Sequence, residues 1–166
     1  MNLIKDGKVA ATDWQFIEEG GQLSANSIVG VELLLNSNNE QMDALKFGVL
    51  IDGDEQLDDL IAYLTKIDLI VIAFSSFADG RGFSMAYRLR NSFGYEGEIW
   101  AKGNLIADQY SQAKQCGIDG VVIDDLHLKR QPIEQWQKAL AVAPLPYPFG
   151  NQSEQVYHQP KNNRFT

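Results

Sequence analysis

From Lys46 onward, short apolar runs rich in β-prone residues alternate with stretches of helical periodicity, and this alternation restricts the chain to a few architectures. The runs are Phe47 to Ile51, Leu69 to Phe74, Glu98 to Ala101 and Gly120 to Ile123. Strand and helix repeating at roughly two dozen residues per unit imply parallel strands joined by right-handed crossovers. The strands carry few polar interruptions, as expected where helices cover both faces or where a barrel is filled. Between them, Leu57, Leu60, Ile61 and Leu64 fall on one helical face, with Asp54 placed to cap it. Phe83, Ala86, Leu89, Arg90 and Phe93 repeat at helical spacing and Gly94 supplies a stop. A third helix buries Ile106, Tyr110 and Ala113, and a fourth opens at Pro132 and buries Ile133, Trp136 and Leu140. The expected fold is α/β, with about four parallel βα units arranged as half of a TIM-like barrel or as an open doubly wound sheet.

The flanks differ from this body. Asp6-Gly7 between short apolar stretches predicts an N-terminal β-hairpin. Thr12 to Asn26 has no sustained period and reads as a loop covering the core, while SIVGVELLL fits a strand or a helix start equally. After Ala143 three of the five prolines cluster, so no helix runs through, and Tyr147, Phe149 and Tyr157 favour an extended arm that docks on its own domain or on a partner subunit. The expected organisation is one domain over residues 1–143, with hairpin and cover in 1–45 and βα units in 46–143, followed by an arm in 144–166. No apolar run is long enough to span a bilayer and no secretory signal pattern is present, which predicts a cytoplasmic location. A formal net charge of −8 argues against nucleic acid as a partner. Cys116 is the single cysteine, so an intrachain disulfide and a multi-thiolate metal site are excluded.

Ligands of parallel α/β sheets bind where the loops after the strands converge. Four clusters occupy such positions: Asp52-Gly53-Asp54, Ser75 to Ser84, Lys102-Gly103-Asn104 and Asp124-Asp125. The second is the richest. Gly80 and Gly82 allow a tight turn that presents backbone amides, and with Asp79, Arg81 and Ser84 they open a helix. Lys102, at the end of the next strand, adds a second positive charge. Together Asp79, Gly80, Arg81, Gly82, Ser84 and Lys102 form a candidate pocket for sulfate, phosphate or carboxylate. The same residues also fit a purely structural account, in which Asp79 caps the helix, Arg81 pairs with an acidic neighbour and the glycines make the turn. No nucleotide fingerprint or Walker lysine is present, so the sequence names no cofactor and leaves open a flavin held by loops without a motif. Asp124, Asp125 and His127 have the chemistry of a metal site but only generic spacing, and read as solvated loop residues; no metal is expected. Asp79 and Asp108 serve as an acid and base pair only if the fold unites them.

The run FADGRGFSMAYRLRNSFGYEGEIWAKGNLIADQ resembles the bacterial family known as domain of unknown function 934. The resemblance rests on Asp79 to Ser84, Leu89-Arg90, Gly94-Tyr95, Gly97-Glu98 and Asp108-Gln109, and it extends from LIKDG to VYHQ. One departure is Asn104, where the family pattern carries Asp, so no carboxylate role is carried over there. Members of this family have no established activity, are commonly encoded beside assimilatory sulfite reductase, and some bear an oxidoreductase label. The resemblance therefore implies a role in sulfate or sulfite assimilation, with an oxyanion or sulfur metabolite bound near Arg81. Two alternatives stay open: an interaction module for sulfite reductase or a second copy of the chain, and a TIM-like lyase or isomerase acting on a phosphorylated metabolite. Open sheet edges also predict a homodimer.

Overall fold

The computed structural model describes residues 1–18, 21–36, 45–53 and 57–142. Eight strands form one sheet: β1 (Asn2–Lys5), β2 (Lys8–Ala10), β3 (Gln15–Phe16), β4 (Ser27–Gly30), β5 (Phe47–Ile51), β6 (Leu69–Phe74), β7 (Glu98–Gly103) and β8 (Gly120–Ile123). Among the described residues five α-helices accompany them: α1 (Val31–Asn36), α2 (Arg81–Asn91), α3 (Tyr110–Gln115), α4 (Asp125–Arg130) and α5 (Ile133–Ala141). Short 3-10 segments occupy Leu57–Tyr63 and Ala107–Gln109.

The strand order is β2-β1-β8-β7-β6-β5-β4-β3. Strands β3 to β8 are parallel and lie in sequence order, so the parallel core is larger than the four strands expected. A doubly wound sheet reverses its order at a switch point. No reversal occurs here, which rules that alternative out and leaves the half-barrel. The hairpin forms as predicted, with Asp6 (φ 48°) and Gly7 (φ 71°) both in the left-handed region that its turn requires. It is not a separate flap, because β1 pairs antiparallel with β8, Leu3 opposite Val122.

The connection between the sheet's two edges forces it to curl. Laid flat, eight strands at ~4.8 Å would separate the edges by ~34 Å. Ala10 ends one edge strand and Gln15 begins the other, and five Cα steps span at most ~19 Å. The curl brings Lys102 of β7 over the ring of Phe16 in β3, 4.6 Å from its centroid, although three strands separate them in the sheet.

Alternation along the strands divides the core in two. Ile4, Val49, Ile70, Ile72, Ile99 and Val121 face the helices and are fully buried against residues such as Leu89, Tyr110 and Trp136. Leu3, Ile28, Leu69, Val71, Trp100 and Val122 fill the concave face, where Trp14 and Phe16 cover them. The segment read as a cover thus supplies both an edge strand and the lining of the curl. SIVGVELLL contains both expected states, β4 running directly into α1. The helix expected after β5 is a 3-10 segment that buries Leu57 and Leu60 while Ile61 stays exposed. In α5 Trp136 is buried as expected, but Ala139 takes the inner place assigned to Leu140. The proposed cap Asp54 and the arm 144–166, with Tyr147, Phe149 and Tyr157, lie outside the described residues. No helix among the described residues is long and apolar enough to cross a membrane.

Candidate functional site

The carboxyl ends of β6, β7 and β8 meet at a cleft of about 260 Å³. Its first wall is the loop leaving β6. Asp79 N–H donates to the Ser76 carbonyl (3.1 Å) and Ala78 N–H to Ser76 Oγ (3.2 Å), folding Ser75, Ser76 and Phe77 into a compact turn. The second wall follows β7. Gly103 has φ 114° and lies so close to the Phe74 carbonyl oxygen that a Cβ would sit 2.6 Å from it. Only glycine fits both conditions. This passage carries Asn104 beneath the first wall, where its N–H donates to the Phe74 carbonyl (3.0 Å) and its Nδ2 to the Ser75 carbonyl (2.7 Å). Gln109 Nε2 donates to the Phe77 carbonyl (2.8 Å), while its Oε1 accepts from Ile106 N–H (3.2 Å). Two side-chain amides from the loop after β7 therefore brace the loop after β6.

The third wall follows β8. Asp124 caps α4, its Oδ1 accepting from His127 N–H at 2.6 Å. The helix presents His127 and Arg130 to the cleft and ends at Gln131. Gln131 Oε1 accepts from Ala107 N–H (2.6 Å) and its carbonyl from Trp136 Nε1 (3.0 Å), tying α4 to the second wall and to α5. The His127 ring lies 6.2 Å from the Trp136 ring. The lining is completed by Asn104 and Ile106, and it contains no carboxylate. Among the described residues the Arg130 side chain forms no ion pair or hydrogen bond. A guanidinium, an imidazole and two serines, of which Ser75 donates its hydroxyl to Asp79 Oδ2 at 3.5 Å, thus line one space, an arrangement suited to holding an anion.

The residues expected to form the anion pocket take up different positions. Asp79 receives Arg81 in a forked pair, with Arg81 Nη2 2.6 Å from Oδ2 and Nε 2.9 Å from Oδ1, and its Oδ1 also accepts from Arg81 N–H (3.1 Å). Gly80 precedes α2 with an ordinary φ of −81°. Gly82 is buried inside α2, where any Cβ would strike the Phe74 ring, so its smallness serves helix-on-strand packing. Ser84 is half-buried in the first turn of the same helix. Lys102 is on the concave face against Phe16. None of these six lines the cleft; of the loop from Ser75 to Ser84, only its first three residues do.

The carboxylates of the suggested metal trio are engaged apart from one another, Asp124 in the α4 cap and Asp125 with Asn2 Nδ2 at 2.7 Å. No hydrogen bond joins Asp79 and Asp108 among the described residues. Cys116 is buried at the end of α3. Burial raises the hydroxyl of Tyr110, whose pKa is pushed up to about 12, and likewise raises that of Tyr95. Arg130 and Gln131 were not singled out in the sequence. Asp124 as a cap, followed by Lys129 and Arg130 where a helix end favours cations, was the available signal for α4.

Residues 48–157 match the family described as bacterial protein of unknown function (DUF934). No curated protein matches the chain.

Proposed function

Starting from the premise that the chain belongs to this bacterial family, we propose that it binds a small oxyanion in the cleft between the loop after β6 and α4, as a component of sulfate or sulfite assimilation. The observation that carries the binding reading is Arg130: a guanidinium without a counter-charge among the described residues, in a cleft whose lining has no carboxylate. His127 and the Ser76 hydroxyl supply further donors, while Ser75 Oγ donates to Asp79 Oδ2 at 3.5 Å. Arg81 is the weaker candidate, because Asp79 already occupies its fork. The metabolic setting comes from the resemblance of residues 77–109, which also suggests sulfite reductase as the partner.

Titration calorimetry of the full chain with sulfite, sulfate and phosphate tests this. One lost charge-assisted contact is worth about a ten-fold to hundred-fold change in affinity, so Arg130→Gln is expected to weaken every anion by that factor while Arg81→Ala changes it less than about two-fold. Unchanged binding in Arg130→Gln would remove the site. A homodimer belongs to the same reading, but β2 and β3 at the edges have three and two residues, so an interface must come from side chains rather than added strands. A monomeric mass in solution scattering would remove that part alone.

A further inference from the structure

The cleft is larger than a bare oxyanion needs. Its volume of about 260 Å³ approaches the ~300 Å³ at which pockets for small organic molecules begin. Its walls are also chemically unequal. Arg130 makes one flank cationic, with the His127 imidazole beside it, while Phe77 and Ile106 make the other apolar. Phe77 is 60% exposed. A single exposed apolar side chain is common, but the backbone beneath this one is pinned. Asn104 Nδ2 holds the Ser75 carbonyl at 2.7 Å and Gln109 Nε2 holds the Phe77 carbonyl at 2.8 Å. Two amides thus fix the backbone that carries an exposed aromatic ring at the edge of a cleft containing a guanidinium, a platform for a flat apolar group.

Building on the anion-binding reading, we infer that the ligand is an organic anion whose sulfonate, phosphate or carboxylate head meets Arg130 and His127 while its flat apolar body lies against Phe77. Asn104 and Gln109 then act as positioning residues for that platform. This gives a role to the Asp108-Gln109 part of the sequence pattern that the anion head alone leaves unused.

The test is calorimetry with inorganic sulfate, methanesulfonate and benzenesulfonate as probes. Benzenesulfonate is expected to bind about ten-fold more tightly than the other two. Phe77→Ala, at a site too exposed to upset folding, should abolish that advantage and leave sulfate affinity unchanged. Equal affinities for the three probes, or an aromatic advantage that survives Phe77→Ala, would overturn the inference. Sulfate binding that weakens in Arg130→Gln keeps the underlying reading alive in that event, whereas sulfate binding indifferent to Arg130 removes both.

Discussion

Arg90 and Arg81 lie on the same helix and differ in almost every respect that matters for stability. The Arg90 side chain is 12% exposed, with Nη2 2.6 Å from Asp119 Oδ2. It also donates to the carbonyls of Gly117, Tyr95 and Gly97. Removing it leaves three carbonyls and a carboxylate short of a donor, so Arg90→Ala should cost about 3 kcal/mol. Arg81, with a side chain 56% exposed, meets the less exposed Asp79 carboxylate at the surface. Arg81→Ala should cost no more than about 1 kcal/mol. Urea denaturation of both variants checks the contrast, and equal losses would contradict it. Several residues of the sequence pattern join in this bracing: Tyr95 and Gly97 accept from Arg90, and Glu98 holds both Lys5 Nζ (3.0 Å) and Trp100 Nε1 (2.6 Å). A recognisable pattern therefore marked framework as much as site. That Arg81 pairs with an acidic neighbour was legible without knowledge of the fold, although the neighbour proves to be Asp79, which the sequence assigned to the helix cap. Arg130 was not, because its role depends on which loop lies opposite α4.

Strands and helices read well wherever their own residues settled them. β5 to β8 read as apolar β-prone runs buried on both faces, and α2 as apolar residues recurring on one helical face. β3, with two residues, exists only because Phe16 pairs with Ile28, and no local signal encodes a distant partner. The docking of α3 shows how an element is held from several sides. Tyr110 packs edge-on to Trp136 of α5, with centroids 5.4 Å apart, and its hydroxyl accepts from Gly7 N–H in the hairpin turn at 3.5 Å. Burial keeps that hydroxyl protonated up to about pH 12, against about 10 in an unfolded chain. Between those values the unfolded state loses a proton that the folded state keeps, so folding stability present below pH 10 should fall as pH rises from 10 to 12. Denaturation midpoints across that range should decline less steeply in Tyr110→Phe. Tyr95, raised in the same direction, preserves part of the decline. An unchanged slope would mean that α3 does not hold Tyr110 out of water.

At the scale of the molecule, the chain's N-terminal strands complete what the later units begin. The family match starts at residue 48, yet β1 to β4 all precede it and supply Leu3 and Ile28 to the concave core, with Trp14 and Phe16 above them. Without them, β5 and β8 become open edges, and Val71, Trp100 and Val122 lose the residues that cover them. The Trp14–Trp100 contact, centroids 6.4 Å apart and planes at 82°, would be lost as well. The choice between a curled and an open sheet was not legible in the βα units, which look alike in both. It turns on the four residues from Ala11 to Trp14 that tie the edge strands together. The alternating units thus define the strands, and the N-terminal segment defines their curvature. A fragment of residues 46–166 should accordingly fail to unfold cooperatively and should bind a hydrophobic dye through its uncovered inner face, as partly packed chains do. Adding residues 1–45 as a separate peptide should restore a single transition, because β1 pairs with β8 and β4 with β5 through backbone contacts that need no covalent link. A sharp, dye-free transition in the fragment alone would show that the curl is intrinsic to β5 to β8 and that the N-terminal strands merely follow it.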